Sequence, residues 1–246
     1  MDKFRLHTLR STPSPQQLVW AAMHQDYSED LVYEQRDRFP EEAKAGELIV
    51  KHLLAGNRGH YGCLEAPQIT FNAGYFPHSA MQQLRTHRIG ISMDVQSGRY
   101  TSKRIIDVCT GDTTGVQRRN VEEVFYLRPI GNYTNRQGKS YFYSEEQRSQ
   151  DLAWCLDGCK LYKQRIDEGV SEEHARGIIP FDIRQHFVIT CNARSLMHLL
   201  DLRWKKDAQL ECQKFCDLLF AEFQDWMPSV ASWYQENRAK KARLAP

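Results

Sequence analysis

The order in which helical and strand patterns follow one another constrains the fold of this chain more than any other feature of its sequence. Two helical patterns, at PSPQQLVWAAM and PEEAKAGELIVKHLLAG, precede a strand pattern at QITFNAGYF, where Ile69, Phe71, Ala73 and Tyr75 share one parity. Later strand patterns, at VEEVFYLRP and HFVITCN, alternate irregularly with long helical tracts. Since no regular β-α-β succession appears, the sequence predicts an α+β fold, with mixed helices packed on a largely antiparallel sheet.

Helix boundaries are predicted from capping residues. Ser14 and Ser79 are expected to cap two helices, and Asn192 a third that opens the tract RSLMHLLDLRWKKDAQLECQKFCDLLFAEFQDWM. Gly56 and Gly90 are expected to end the helices that precede them.

The 246 residues are expected to form one domain, because no Pro/Gly/Ser-rich tract divides them. Polar stretches on both sides of VEEVFYLRP predict a loop-strand-loop insert at residues 110–140. The basic C-terminal stretch at residues 238–246 is interpreted as a flexible, solvated tail.

The charge balance limits the possible partners. A formal net charge of +2 argues against a general nucleic-acid binder, whose affinity for phosphates needs a broad excess of Lys and Arg. The first ten residues lack the apolar core of a signal peptide, and no uncharged run approaches the roughly 20 residues that cross a bilayer. The sequence therefore predicts a cytoplasmic protein with no membrane and no nucleic-acid partner.

The seven cysteines are interpreted as buried apolar side chains. Cys155 and Cys159 are four residues apart, as are Cys212 and Cys216, so each pair can share a helical face. The close loop spacing typical of zinc sites is absent from both pairs, and no metal site is predicted.

A local excess of positive charge occupies residues 85–104. The stretch RTHRIGISMDVQSGRYTSKR contains five Lys or Arg and one acid. On a helix, Arg85 and Arg88 would lie close to one side, with Gln82 about one turn earlier, and Ser97-Gly98 would add a hydroxyl and a turn able to expose N–H groups. Guanidinium forks with such groups are suited to binding a phosphate. Solvated arginines at a helix end are the alternative interpretation.

A second polar group lies in NARSLMHLLDLR. Arg194 and His198 share a helical face, whereas Arg203 is nine residues beyond Arg194 and is turned about 180° away from it. On one unbroken helix these residues would reach two different pockets; surface positions of an amphipathic helix are the alternative. His60 and Glu65 precede the first predicted strand, where a loop could meet a ligand.

Together these motifs resemble the flavin-dependent thymidylate synthases. RTHRIGISMDVQSGRY is similar to the signature of that family, an Arg-His-Arg followed by a Ser seven or eight residues later. GHYGCLE, HARGIIP and NARSLMHLLDLRWKKDAQLE agree with further family motifs and appear in the family's order. The resemblance implies a homotetramer with sites at subunit interfaces. It also implies a reaction in which dUMP is methylated to dTMP, with 5,10-methylenetetrahydrofolate as carbon donor and NADPH-reduced FAD as hydride source.

The resemblance also implies site residues. Its dUMP-binding set is Gln82, Gln83, Arg85, Gln96, Ser97, Gly98, Arg99, Arg176 and Arg203. Its FAD-binding set is His60, Glu65, Arg85, His87, Arg88, Asn192, Arg194 and His198. Arg203 matches the arginine that faces the uracil and is the predicted catalytic residue, since a fixed cation stabilises negative charge on the pyrimidine.

Two departures from the family pattern concern the dUMP set. Thr86 stands where the family usually has the first arginine of the signature, and Asp94-Val95 replaces a frequent Asn-Glu, leaving Gln96 to supply an amide. A related flavoenzyme acting on another pyrimidine nucleotide is therefore one alternative. A non-catalytic module that binds nucleotides or nucleic acid through residues 85–104 is another.

Overall fold

The computed structural model describes residues 3–56, 59–111, 118–135 and 137–241. The strands in these ranges are β1 (Arg5–Ser11), β2 (Gln68–Pro77), β3 (Ile91–Val95), β4 (Gly131–Thr134), β5 (Ser140–Tyr143) and β6 (Arg184–Asn192). The first five helices are α1 (Pro15–Gln25), α2 (Glu42–Ile49), α3 (His78–Arg85), α4 (Lys103–Cys109) and α5 (Val121–Val124). The later helices are α6 (Glu145–Asp167), α7 (Glu172–Ala175), α8 (Ala193–Arg203), α9 (Leu210–Trp226) and α10 (Pro228–Asn237). In these ranges no helix is long and apolar enough to span a bilayer.

The chain forms two compact units. The first comprises Gly74–Gln82 and Val95–His186 together with the N-terminal residue Lys3, and the second comprises Phe4–Ala73, Gln83–Asp94 and the chain from Phe187 onward. Because these stretches interleave along the sequence, neither unit is a separate sequence domain, in agreement with the prediction of a single domain.

Most residues of a four-stranded sheet with the strand order β1-β2-β6-β3 belong to the second unit, while the end of β2, the start of β6 and Val95 of β3 belong to the first. Ile69, Phe71 and Ala73 on β2 are buried as their shared parity predicts, and on β6 the ring of Phe187 lies 6.0 Å from that of Phe215 on α9. The predicted α+β class with a largely antiparallel sheet is confirmed.

In the first unit, α6 packs against α4 and α5 around an apolar cluster that includes Ile105, Phe125 and Tyr162. Ser144 starts α6 with a capping box, in which its side chain accepts from the Gln147 N–H and the Gln147 side chain accepts from the Ser144 N–H.

The part of β2 that belongs to the first unit departs from the predicted parity at Tyr75, which is only half-buried. A left-handed backbone at Tyr75, with φ 68°, interrupts the alternation, so that Phe76 is buried instead.

The expectation for residues 110–140 is wrong in two respects. VEEVFYLRP contributes the short helix α5 and a single bridge from Phe125 to Ile183 rather than a strand, because Asn120 caps the helix by accepting from the Glu122 N–H at 2.8 Å. The polar stretch after VEEVFYLRP, which was predicted as a loop, contains β4 and the start of β5, and these two strands form an antiparallel hairpin. Residues 112–117 and 136 lie outside the described ranges.

Several helix ends differ from the predictions. Ser14 adopts a left-handed conformation without a capping hydrogen bond, and Ser79 lies inside α3, where its N–H donates to Asp182 at 2.9 Å. Helix α3 ends at Arg85 rather than near Gly90, and the long tract after Asn192 divides at residues 204–209 into α8 and α9. The N-cap role of Asn192 is confirmed, since its side chain accepts from the Ser195 N–H at 2.8 Å.

The interpretation of a solvated tail is wrong for Arg238. The residue is 8% exposed, its guanidinium donates to Asp201 at 2.5 Å, and Tyr234 donates to the same carboxylate at 2.9 Å. The attraction between the Arg238 guanidinium and the buried Asp201 carboxylate outweighs the hydration of that guanidinium, which the basic sequence pattern had indicated. Lys240 forms an exposed ion pair with Asp217 at 3.6 Å, and residues 242–246 lie outside the described ranges.

We expect Arg238→Met to lower the free energy of unfolding by about 3 kcal/mol, because it leaves the buried Asp201 carboxylate without its cation. Lys240→Met is the control, since both partners of the Lys240 ion pair are about half exposed and such a pair contributes less than about 1 kcal/mol. Urea denaturation of both variants tests this expectation, and equal losses in the two would contradict it.

Candidate functional site

The catalytic candidate Arg203 is held by four hydrogen bonds inside the second unit. It is the last residue of α8 and donates from Nε to His87 Nε2 at 2.9 Å and from Nη1 to Gln83 Oε1 at 3.2 Å. Nη2 donates to the Gln83 carbonyl at 3.1 Å and to Thr86 Oγ1 at 2.9 Å. These acceptors are all uncharged, so the guanidinium keeps its full positive charge in a fixed position.

His87 is buried and acts as a hydrogen-bond acceptor. Burial, together with the charges of Arg203 and His198, lowers the pKa of His87 to about 4. Since Arg203 Nε donates to His87 Nε2, this nitrogen must be unprotonated and the ring neutral. The His198 ring lies edge-on to it, with 5.6 Å between centroids. At neutral pH, His87 therefore orients Arg203 without adding a charge.

The lowered pKa of His87 predicts a pH-dependent stability. An unfolded histidine titrates near pH 6.5, so the unfolded chain binds more protons than the folded one between about pH 6.5 and about pH 4, and stability is lost as the pH falls through this window. We expect the His87 contribution to lower the free energy of unfolding by about 2 kcal/mol when the pH falls from about 7 to about 5. Urea denaturation of wild type and His87→Gln at both pH values measures this, and an equal pH dependence in the two proteins would contradict it.

The turn after His87 is fixed against the start of α8. The Asn192 N–H donates to the Gly90 carbonyl at 3.3 Å, and Ser195 Oγ donates to the Ile89 carbonyl at 2.9 Å. Gly90 has φ 65°, and a Cβ at this position would come within 2.1 Å of Ser195 Oγ. A glycine is therefore required for this close approach.

The remaining residues of the predicted FAD set lie around this turn and on the preceding segment of the same unit. Arg194 on α8 forms a partly exposed ion pair with Glu65 at 2.6 Å, and His60 is exposed just before the 3-10 helix Tyr61–Glu65. Arg194 and Arg203 thus contact different parts of the unit, as their angular separation on the helix predicted.

Arg85 and Arg88 do not lie on one helical side. Helix α3 ends at Arg85, so Arg88 follows in the turn, and both side chains are exposed. Over the described ranges neither forms an ion pair or a side-chain hydrogen bond. Both guanidinium groups are therefore available to an anionic ligand.

The first unit brings together a different part of the predicted dUMP set. Ser97 Oγ accepts from the Arg99 N–H at 3.3 Å, and Gly98 lies against Arg176, whose Cδ would be 3.7 Å from a Cβ on that glycine. Arg99 forms an exposed ion pair with Glu173 at 2.6 Å. The Gly98 N–H has no acceptor within the residues that the structure describes. This turn therefore offers two guanidinium groups, a hydroxyl and an N–H group, which suit a phosphate.

Two other members of the set belong to the same unit. The Gln96 N–H donates to the His186 carbonyl at 2.9 Å, which anchors the strand that leads into the Ser97 turn. Gln82 Nε2 lies 3.0 Å from His78 Nε2 on the same face of α3. Gln83, Arg85 and Arg203 belong to the second unit.

Sequence reasoning missed three residues that are linked to Arg203 directly or through hydrogen bonds of Gln83 and Gln209. Thr86 was interpreted only as a departure from a motif, yet its hydroxyl accepts from Arg203 and donates to the Gln83 carbonyl at 2.7 Å. Gln209 and Glu211 were quoted within the motif DAQLE but given no role. The motif DAQLE was the signal that could have identified Gln209 and Glu211. Polar residues of a family motif that are not assigned to ligand binding are candidates for hydrogen bonds inside the protein.

All seven cysteines are free thiols. Five of them are buried, as predicted for core residues, and Cys63 and Cys109 are half-buried. Burial raises the pKa of every one of these thiols, for example to about 12 at Cys212. Among the described residues no group of three or more His, Cys, Asp or Glu could hold a metal ion.

Comparison with known proteins gives consistent results. The family model described as thymidylate synthase complementing protein matches residues 7–229. A flavin-dependent thymidylate synthase from Haloarcula marismortui is 30% identical, over 97% of this chain and 98% of the relative.

Solved structures show the same fold. The UMP/dUMP methylase PolB from Streptomyces cacaoi, bound with 5-Br dUMP, has a TM-score of 0.76 at 20% identity and covers 100% of this chain and 98% of its own. Thymidylate synthase X from Helicobacter pylori, with FAD and dUMP, has a TM-score of 0.65 at 22% identity and covers 89% of this chain and 92% of its own. The chain is thus similar to these proteins in fold and over nearly its whole length.

Proposed function

This chain belongs to the flavin-dependent thymidylate synthase family, and on that premise we propose that it methylates dUMP to dTMP with bound FAD. The co-substrates in the proposal are 5,10-methylenetetrahydrofolate and NADPH. The observation that carries it is the fixed position of Arg203, a full positive charge held by four uncharged acceptors. The homotetramer with sites at subunit interfaces and the cytoplasmic location stay predictions.

The residues proposed to hold FAD fit an anionic cofactor. Its pyrophosphate carries negative charge, and the exposed guanidinium groups of Arg85 and Arg88 have no carboxylate partner over the described ranges. The proposed set is completed by His87, Arg194, His198, Asn192, Glu65 and His60. When bound and reduced, FAD supplies the hydride for the reaction.

The residues proposed to hold dUMP supply complementary charge. Arg99 and Arg176, with the Ser97 hydroxyl and the Gly98 N–H, bind the phosphate oxygens. Arg85, which belongs to both proposed sets, contributes a further guanidinium, and Gln82 and Gln96 contribute amides. Each charge-assisted hydrogen bond contributes about 1.5–3 kcal/mol, so a few of them bind a nucleotide although the net charge of the chain is only +2. Arg203, with Gln83, faces the pyrimidine and stabilises its developing negative charge.

Absorption spectroscopy tests the binding part of this proposal. Purified protein is incubated with FAD, freed of excess flavin, and titrated with dUMP while the visible flavin bands are recorded. We expect retained bands that shift on addition of dUMP. A protein that retains no flavin and binds polynucleotides in a strongly salt-dependent way would instead be a binding module.

Thr86 favours a second candidate, a related flavoenzyme acting on another pyrimidine nucleotide. A threonine hydroxyl that bonds to Arg203 replaces the arginine that the family usually has at this position. Turnover of dUMP compared with UMP and dCMP separates the two candidates, because the second predicts that dUMP is not the preferred substrate.

The raised pKa values of the thiols predict that no cysteine acts as a nucleophile. Cys212 provides the sharpest test, since its thiol donates to Gln83 Oε1 at 3.7 Å and lies nearest to the Arg203 set. We expect Cys212→Ala to retain most of the activity, and single serine replacements of the other six to behave alike. A variant that is folded and binds flavin but forms no dTMP would support covalent catalysis instead.

A further inference from the structure

A buried carboxylate lies behind the contacts of Arg203. Glu211, the second residue of α9, is 1% exposed and accepts from Gln209 Nε2 at 2.8 Å. It belongs to none of the proposed ligand-binding sets. A carboxylate buried so completely is costly unless its hydrogen bonds are satisfied, so its neighbours are constrained.

Two glutamine amides connect Glu211 to Arg203. Gln209 Oε1 accepts from Gln83 Nε2 at 2.6 Å, and Gln83 Oε1 in turn accepts from Arg203 Nη1 at 3.2 Å. We call this series of hydrogen bonds, from Glu211 through Gln209 and Gln83 to Arg203, the amide relay. All four residues lie in the second unit.

The chemistry of its two ends fixes the direction of the relay. An ionised carboxylate only accepts hydrogen bonds and a guanidinium only donates them, whereas an amide does both. The Gln209 NH2 group must therefore face Glu211, its oxygen must face the Gln83 NH2 group, and the Gln83 oxygen must face Arg203. The Cys212 thiol, which donates to the same Gln83 oxygen at 3.7 Å, agrees with this orientation.

The local backbone explains how Gln209 reaches across. Gln209 is the residue before α9 and has a non-helical backbone, with φ −54° and ψ 134°, and its side chain contacts both Gln83 and Glu211. Glu211 lies in the first turn of α9, where a negative charge is favoured. The spacing of the two residues in DAQLE thus places a donor amide beside an acceptor carboxylate.

We propose that Glu211 is a positioning residue for Arg203, and that it acts through the amides of Gln209 and Gln83. The carboxylate holds both amides in the orientation that presents the Gln83 oxygen to the guanidinium. Without it, the Gln83 amide is free to turn and present its NH2 group to Arg203, which repels the guanidinium. The inference rests on the proposed function, because its consequence for turnover depends on the role of Arg203 in dUMP methylation.

Three variants test the relay in the full-length, FAD-loaded protein. Gln209→Met and Glu211→Met each interrupt it, and we expect each to lower kcat about tenfold with a smaller change in the KM for dUMP, as for the loss of one charge-assisted hydrogen bond. Glu211→Gln keeps an acceptor oxygen and should restore part of this loss. Gln224→Met is the matched control. Gln224 lies on α9, like Glu211, and its amide donates to Gln235 on α10 in an exposed hydrogen bond, so its removal should leave kcat unchanged.

A double-mutant cycle separates positioning from a general structural effect. In an Arg203→Ala background, Gln209→Met should cause no further loss of kcat, because the residue that the relay positions is already absent. An additional tenfold loss in that background would overturn the proposal, and so would a Gln209→Met variant with unchanged kcat.

A crystal structure of Gln209→Met gives a readout independent of turnover. We expect the contact between Arg203 Nη1 and Gln83 Oε1 to lengthen beyond the hydrogen-bond limit of about 3.5 Å. An unmoved Arg203 and Gln83 would overturn the relay even if the enzyme methylates dUMP. If instead wild type forms no dTMP while Arg203 moves in the variant, the proposed function fails and the relay stands.

Discussion

Arg203→Ala is expected to lower kcat for dTMP formation by a factor of about 100 to 1,000, the effect of removing one fixed group that stabilises developing charge. The structure supplies the reason for so large an effect. The guanidinium is held at three of its nitrogens by Gln83, Thr86 and His87, so its charge is already oriented and needs no reorganisation during the reaction. Steady-state turnover at saturating dUMP measures the loss.

FAD binding should survive this substitution, since the residues proposed to hold FAD do not include Arg203. Lys205→Ala is the matched control, because it removes a nearby cation whose ion pair with Asp207, at 3.3 Å, is separate from the Arg203 contacts. Parallel loss of the fold and of FAD binding would show that Arg203 is a structural residue, and unchanged kcat would remove it from the chemistry.

The second large effect is expected for Arg176→Met, which should raise the KM for dUMP about 10-fold to 100-fold while changing kcat less. Arg176 lies against the Gly98 turn and forms no ion pair over the described ranges, so its guanidinium is free to bind an anion. Initial rates over a range of dUMP concentrations measure this effect.

A substrate without the phosphate tests the assignment of Arg176. With deoxyuridine, wild type and Arg176→Met should show similar, low kcat/KM values, because the contact removed by the substitution does not form with either protein. Arg165→Met is the control, since Arg165 forms an exposed pair with Glu168 in the same unit. An equal loss of kcat/KM on dUMP and deoxyuridine would show that Arg176 does not bind the phosphate.

Local patterns predicted the parts of the fold that local physics determines. Asn192 is followed by a helical pattern, and its side chain caps that helix as expected. Ile69 and Phe71 share a parity and are buried together. In both cases the decisive interaction lies within a few residues along the chain or follows from side-chain alternation.

Other parts depend on contacts that no local pattern contains. Arg238 appeared to belong to a solvated tail because its partner Asp201 is 37 residues away in sequence. The separation between Gln83 and Gln209 is 126 residues, so their hydrogen bond was not visible in either motif. Tyr75 interrupts the alternation of buried side chains along β2 by a left-handed backbone that a tyrosine rarely adopts.

The candidate site was predicted as residue types rather than as contacts. The motifs identified Arg203, His87 and Arg176, but a linear sequence does not show that Thr86 accepts a hydrogen bond from Arg203. The replacement of an arginine by a threonine therefore appeared as the loss of a ligand contact. In the structure, Thr86 at this position also forms an internal hydrogen bond with Arg203.

The most direct test of dUMP methylation by this protein is the formation of dTMP. Purified protein is incubated with dUMP, 5,10-methylenetetrahydrofolate, NADPH and FAD, and the nucleotides are separated by chromatography and identified by mass. We expect dTMP to accumulate over many turnovers with wild type and to be nearly absent with Arg203→Ala. Wild-type protein that is folded and loaded with FAD but leaves dUMP unchanged would contradict it.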